Sequence, residues 1–538
     1  MGAITEPVAP PSGEPAGVVR QAAGLMVFQL LSPAAALLAE LALAYRFGAS
    51  GVVDAFRVSV VLLIYGQQLF VTLILPYTLV PIFAEYRAQQ NEAEAWALAD
   101  SLGRMLLLFG GVAAILLFFW PGAVVSVVAP GLAGEVRTTA VFLIRWCGIA
   151  FIPMCWTGAA CGILYAYNVF QIAPLSQFAS NMMLVFAILL GGGRLGAASL
   201  AVGLVAGSAV STGIHAVKVA ALRRQFGSTA RSKSFDLRAI KKALVLAAPL
   251  LGSVISGQST SVVINRVLSR LPVGTLAAFG YAFKMQALVR LMPGTMVTVL
   301  FPKFSAAWYS GGRQEFTEGC TRAIRATVYL ALPLTAVGCI FRRPLVALLF
   351  QRGAFTDSDV IVAATLFGLL ILNAPAAMVT VALGRAFYAV QDPRTPLLTD
   401  VGGNLLELML IPVLAARFGA NGAAAAYMLI PWFTTTGLII LFRLRFGTFP
   451  FGDLARFSFW ITAAATSSAW IGTMIGRTCS GLVHLPGILS PAVEVAVGGV
   501  AALALFFMST LLFGFPEARS LRGFLVRSLN DLRLASKR

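Results

Sequence analysis

Few groups in this chain can do chemistry, and most of them lie inside long apolar runs. Asp54 and Arg57 stand at the mouth of one such run, in the stretch from Arg46 to Tyr86, RFGASGVVDAFRVSVVLLIYGQQLFVTLILPYTLVPIFAEY. The same run holds two adjacent amides, Gln67 and Gln68, and two prolines, Pro76 and Pro81. Polar side chains and prolines inside a bilayer are costly unless they face a cavity or another helix. This helix therefore either lines a polar translocation path or bonds its glutamines across a helix interface. Further along, Asp400, Asn404 and Glu407 are spaced i, i+4, i+7 and share one helical face. Two carboxylates and an amide oxygen on one face can hold Na⁺ or pass a proton. Alternatively, Asp400 sits at the membrane surface and Glu407 pairs with a neighbouring cation. Glu40, Arg145, Lys284 and Arg290 are further ionisable groups in apolar runs. Each costs about 2.5–3.5 kcal/mol near the bilayer midplane, so each is a functional candidate by default.

The elements that position these groups are spans. With 59% hydrophobic and 11% charged residues over 538 positions and a mean hydropathy of +0.86, the chain reads as an all-α polytopic membrane protein. The net charge of +19 comes from cations in short loops between apolar runs, which sets topology and argues against a nucleic-acid partner. The more basic loops, with Arg87, the stretch Arg223–Lys242 and the Arg519–Arg538 tail, predict cytoplasmic N- and C-termini. The six cysteines form no CxxC pair and two histidines are too few for a histidine-built metal centre, so buried thiols and no metal site are expected. No GxxxxGK[ST], HExxH or GxSxG is present, and no enzyme is expected.

Apolar runs near 21–44, 56–84, 103–128, 139–165, 172–191, 197–221, 243–267, 274–301, 324–350, 360–384, 397–416, 421–443, 456–476 and 489–514 give about fourteen transmembrane helices. A repeat runs through them. Gly162-ILYAYNVFQIA-Pro174 recurs as Gly384-RAFYAVQDPRT-Pro396, displaced by about 222 positions. At nearly the same displacement Ala55-Phe56 meets Ala278-Phe279, and Val80-Pro81-Ile82-Phe83 meets Phe301-Pro302-Lys303-Phe304. About six helices per copy is an even number, so the two copies are parallel. The expected organisation is a disordered tail over 1–17, a six-helix lobe over 18–222, a basic cytoplasmic linker over 223–242 and a second six-helix lobe over 243–445. Two extra helices over 446–515 and a basic amphipathic tail over 516–538 follow, the tail suited to an anionic membrane surface.

The segments FGASGVVDAF…LVPIFAEY, Phe350-QRGAF-Thr356 and Phe387-YAVQDPRT-Pro396 resemble those of the MviN/MurJ lipid II flippases, within the multidrug/oligosaccharidyl-lipid/polysaccharide exporter superfamily. The resemblance covers about residues 20–515. It implies two lobes forming a V, with spans 1, 2, 7 and 8 around a cationic cavity and spans 13 and 14 forming a groove for a polyprenyl tail. It also implies flipping of an undecaprenyl-diphosphate-linked saccharide across the bacterial cytoplasmic membrane. On this resemblance the family's two arginines of span 1 fall on Pro33 and Ala39, and its pair in span 2 on Gln67 and Gln68. Its span 8 arginine falls on Lys284, and Asp54 is kept. Arg offers a diphosphate forked donors where Lys is a point charge. The expected substrate-binding residues are thus Asp54, Arg57, Gln67, Gln68, Lys284 and Glu40, and the expected ion-coupling residues Asp400, Asn404 and Glu407, for Na⁺ or H⁺. Lipid II or an exopolysaccharide precursor is the expected cargo. The alternatives are a cation-coupled drug antiporter of the same superfamily and a non-transporting cell-envelope scaffold. Membrane lipids and cell-envelope biosynthesis proteins are the expected partners.

Overall fold

The computed structural model describes residues 15–67, 80, 82–83, 85–86, 89, 91–226, 257–289, 308, 312–447, 450–483, 489–523 and 527, with side chains from Val27 onward. Among the described residues every regular element is a helix. The first repeat holds α1 (Pro15–Phe47), α2 (Gly51–Gly66), α3 (Glu92–Phe119), α4 (Pro121–Val128), α5 (Gly134–Cys147), α6 (Phe151–Ala166), α7 (Ile172–Phe186) and α8 (Ala198–Gln225). Then come α9 (257–268) and α10 (275–289). They are followed by α11 (Gly312–Ile340), α12 (Arg342–Phe350), α13 (Asp357–Ile371), α14 (Ala374–Ala389) and α15 (Arg394–Phe446). The two helices beyond the repeats are α16 (Phe451–Val483) and α17 (Leu489–Leu512).

Nine described segments are long and apolar enough to cross a bilayer. One of them, α15, contains two predicted spans in a single run, broken at Gly419, where φ is 60° and ψ is −141°. The predicted runs 56–84, 243–267 and 274–301 extend into residues outside the described set. Two predicted boundaries shift. The run 103–128 ends its span at Phe119, and 324–350 ends at Ile340; each is followed by a short separate helix, α4 and α12. Apolar composition continues across both breaks, so hydropathy alone merges them.

The repeat predicted from three sequence anchors extends through the helices. Glu92–Phe119 answers to Gly312–Ile340, Pro121–Val128 to Arg342–Phe350, and the pair α5 and α6 to α13 and α14, all displaced by about 222 positions. Even an irregular detail repeats: Asn168 and Gln391 both have φ near +60°, and the residue after each donates its N–H back to Leu164 and Phe387 respectively.

Packing divides the chain differently. One compact unit comprises Met1–Glu40, Leu63–Phe118 and Arg145–Ala248; the other comprises Leu41–Leu62, Phe119–Ile144 and Pro249–Arg538. In the second unit an aromatic cluster of Phe316, Phe387, Phe442 and Phe446 forms a core that α16 and α17 extend through Phe457, Ile461 and Phe506. Those two helices approach closely at small residues, as helices in a bilayer do: a Cβ on Gly476 would stand 2.6 Å from the Glu494 carbonyl oxygen. After α17, Glu517 binds Arg325 at 2.7 Å and Leu521 packs on the same core. The rest of the predicted amphipathic tail lies outside the described residues, save Arg527. All six cysteines are free thiols, four of them buried.

Candidate functional site

The start of α2 is built around Asp54, 3% exposed. Its Oδ2 accepts the Gly274 N–H at 2.6 Å and its Oδ1 the Ala277 N–H at 2.7 Å. These are the donors that the first turn of α10 leaves without intrahelical partners. A carboxylate at a helix N-terminus also meets the positive end of the helix dipole. Asp54 thus caps α10 from another helix, and both of its oxygens are engaged in holding the fold.

Arg57 lies one turn on. Its guanidinium stands 5.3 Å from the centre of the Tyr281 ring. The absence of a side chain at Gly280 admits it: a Cβ there would collide with Nε and stand 2.8 Å from Cζ. Tyr281 is fixed in turn, its hydroxyl donating to the Gly48 carbonyl at 3.0 Å and its ring packed on Phe350 and Phe355. The segment Phe350–Thr356 docks onto the end of α1, where Ala354 donates its N–H to the Tyr45 carbonyl at 2.9 Å. Two of the three sequence motifs are therefore in contact. Lys284 follows Gly280 by four residues, on the same face of α10, about 5–6 Å further along, and its side chain is exposed. Arg57 of α2 thus reaches the face of α10 that carries Lys284 one turn on.

On α15 the three polar residues separate. Glu407 is 6% exposed; its Oε2 accepts from the Thr260 hydroxyl of α9 at 3.2 Å, and its Oε1 is buried with no hydrogen-bond partner. Asn404 turns to the same helix, its Nδ2 4.0 Å from where a Cβ of Gly257 would stand. Asp400 is exposed. The structure brings Asn404, Glu407 and Thr260 together and leaves Asp400 outside. Among the described residues no group of three or more His, Cys, Asp or Glu side chains converges on a point.

The third motif forms a turn held by Asp392. Its carboxylate accepts from the Thr395 hydroxyl at 2.7 Å and the Thr395 N–H at 3.3 Å and pairs with Arg445. Burial pushes this carboxyl up, but the Thr395 hydrogen bonds and the Arg445 charge outweigh it and hold it below the ordinary value.

A family model described as lipid II flippase MurJ matches residues 43–488. The chain belongs to the lipid II flippase MurJ family. A lipid II flippase MurJ of Burkholderia cenocepacia is 26% identical over 387 residues, covering 70% of this chain and 74% of that one. A probable lipid II flippase MurJ of Rhizobium meliloti is 31% identical over 200 residues, 36% of either chain. Among solved structures, a lipid II flippase MurJ in an inward closed conformation matches with a TM-score of 0.76 at 17% identity, covering 91% of this chain and 98% of that one. An inward-facing multidrug resistance MATE family transporter of the MOP superfamily matches at 0.64 and 16% identity, over 80% of this chain and 98% of the other. At these identities the likeness is one of fold. Membership of the MurJ family makes this a multi-pass protein of the bacterial inner membrane and a transporter, not an enzyme.

The remaining residues expected from the MurJ resemblance are scattered. Gln67 donates to Gln177 of α7 at 2.9 Å, the interface bond that the sequence left as one of two readings. Glu40 is buried in α1. Gln68 and Arg290 lie outside the described residues. Arg145 donates to the Phe118 carbonyl at 3.1 Å and lies 5.5 Å from the Phe118 ring. Sequence reasoning missed Gly280, Tyr281 and Thr260. The repeat held a signal for one of them: at an offset of 223 positions Arg57 corresponds to Gly280, which makes room for it, as Asp54 corresponds to Ala277, whose N–H it caps.

Proposed function

We propose that this MurJ-family chain flips lipid II, an undecaprenyl-diphosphate-linked saccharide, across the cytoplasmic membrane by alternating access. The observation that carries the reading is the cation pair: Arg57 lying across Gly280 with exposed Lys284 one turn along. An anionic diphosphate needs such a pair, and the forked donors of Arg57 suit its oxygens. The test is a leaflet-resolved flipping assay in liposomes with lipid II and, in parallel, an undecaprenyl-diphosphate-linked exopolysaccharide precursor. Lys284→Ala should abolish flipping with the protein still folded, whereas Lys284→Arg should keep it. A Lys284→Ala, Arg57→Ala double variant with full activity overturns the reading. Faster flipping of the exopolysaccharide precursor than of lipid II reassigns the cargo. The basic loops support cytoplasmic termini; cysteines placed in Arg223–Lys242 should stay unlabelled by an impermeant reagent in intact cells.

A second reading, cation coupling, is favoured by Glu407. A buried carboxylate with one bonded and one unpartnered oxygen is what a Na⁺ or H⁺ site presents. Asn404 supplies the adjacent amide, and Asp400 is dropped from the site. Coupling serves the flippase and equally a drug antiporter of the same fold. Transport of a small cationic drug without any lipid-linked saccharide would favour the antiporter.

A further inference from the structure

α10 carries a second polar group besides Lys284, and it points the other way. Gln286 follows Lys284 by two residues, roughly 200° around the helix, and is fully buried where Lys284 is exposed. Its Nε2 donates to the Asn373 Oδ1 at 2.5 Å, and Asn373 is fully buried too. Two facing amides can exchange two hydrogen bonds, and these make one. Gln286 Oε1 and Asn373 Nδ2 are left buried with no partner. Exchanging oxygen and nitrogen on both side chains leaves the same shortfall, one acceptor and one donor.

Asn373 is the fixed member. It stands at the break between α13 and α14, where Pro375 has no N–H to give the Ile371 carbonyl. α15 holds that break in place: the Trp432 indole donates to the Leu372 carbonyl at 2.9 Å, and the Thr435 hydroxyl to the Ala376 carbonyl at 2.8 Å. The first repeat builds the same place without amides. At an offset of 223 positions Gln286 corresponds to Leu63 and Asn373 to Ala150, both buried. Replacing both partners of a buried pair by apolar groups is near neutral for stability, whereas stranding one partner is costly. The fold is thus made once with apolar residues here, and the amides answer to something other than folding.

We propose that Gln286 and Asn373 are a positioning pair for transport, which closes its second hydrogen bond in another placement of α10 and so sets where Lys284 stands. The inference rests on the reading of Lys284 as a phosphate-binding cation and of transport as alternating access. Packed helices have discrete arrangements and shift between them in steps. A placement that makes both amide bonds gains one hydrogen bond over the present one, about fivefold in population. Gln286 and Lys284 lie within one turn of the same helix, so the step that moves the amide moves the cation.

The test replaces the pair by its first-repeat counterparts, Gln286→Leu with Asn373→Ala, in the full chain. Unfolding temperature should hold or rise, whereas Gln286→Leu alone strands the Asn373 amide and should lower it. In liposomes the maximal flipping rate of lipid II should fall about fivefold, with its half-saturating concentration unchanged. A readout free of transport is maleimide labelling of Lys284→Cys, resolved at that position by mass spectrometry. Its rate should differ between the amide pair and the apolar pair. If the wild type flips no lipid-linked saccharide but labelling responds to the pair, the cargo reading fails and the positioning of α10 stands. An apolar pair as active as wild type, one as unstable as Gln286→Leu alone, or labelling blind to the pair overturns the proposal.

Discussion

Asp54 and Glu407 are both buried carboxylates of one unit, at 3% and 6% exposure, yet their surroundings differ. Asp54 has both oxygens on backbone N–H groups, whereas Glu407 has one oxygen on a hydroxyl and one on nothing. The first arrangement is structural. Asp54→Ala strands two buried N–H groups, each worth about 1–3 kcal/mol when left unsatisfied, and thermal unfolding in detergent should show a large loss of stability. Asp54→Asn keeps one acceptor oxygen and should fall between the two. Lys284→Ala should leave the same unfolding curve in place while removing transport. A transport defect in Asp54→Ala without a stability defect would contradict the capping role. The sequence placed Asp54 at the start of a helix, where α2 has it in its first turn, and read it as a substrate-binding residue. It could not reveal the partner, because an N–H group has no side chain to read.

At the scale of elements, the three motifs were legible as motifs and illegible as contacts. The turn Arg46–Ser50, the segment Phe350–Thr356 and the first turn of α10 meet through backbone atoms. Gly274 shows why: φ is +91°, and a Cβ there would run into the Ala49 carbonyl oxygen. Gly134 also has positive φ, +53°, but nothing lies within 4 Å of its Cβ position. Gly134→Ala should therefore lose only the backbone term, on the order of 1–3 kcal/mol. Gly274→Ala should lose that and the helix contact together, read as a clearly larger drop in unfolding temperature. The third motif carries a pH dependence. Because its carboxyl is held below the ordinary value, the folded state binds the Asp392 proton less tightly than the unfolded state does. Its contribution is present above the ordinary carboxylate pKa and is lost as pH falls through the lowered one. Wild type and Asp392→Asn should thus differ in unfolding temperature at neutral pH and converge in acid, below about pH 4. Parallel curves across that range would remove the Asp392–Arg445 pair from the account.

At the scale of the molecule, the repeat was legible because its offset recurs in separated anchors, and the helices carry it from Glu92 to Phe446. The packing division was not, since the capping of α10 by Asp54 of α2 pairs one side chain with two backbone N–H groups. The α15 acids were legible by spacing alone, and spacing could not tell that Asp400 stays exposed while Glu407 turns to Thr260. That separation sharpens the coupling hypothesis. Moving a bulky anion without a nucleotide motif draws on an ion gradient, the membrane potential or the substrate's own gradient. One charge crossing 100 mV releases about 2.3 kcal/mol, enough to shift a two-state equilibrium roughly fiftyfold. A cation or proton on Glu407 Oε1 would relieve its lack of a partner, and an element whose stability changes with occupancy can bias which state of the transporter is populated. Glu407→Gln keeps the volume and removes the charge, so lipid II binding should persist while the response of flipping to an imposed gradient disappears. Asp400→Asn, at an exposed position, should leave that response intact. The measurement is flipping rate in liposomes against separate Na⁺ and pH gradients for wild type and both variants. If wild type ignores both gradients, or if Asp400→Asn and not Glu407→Gln abolishes the response, the contact between α9 and α15 is structural and the coupling site lies elsewhere.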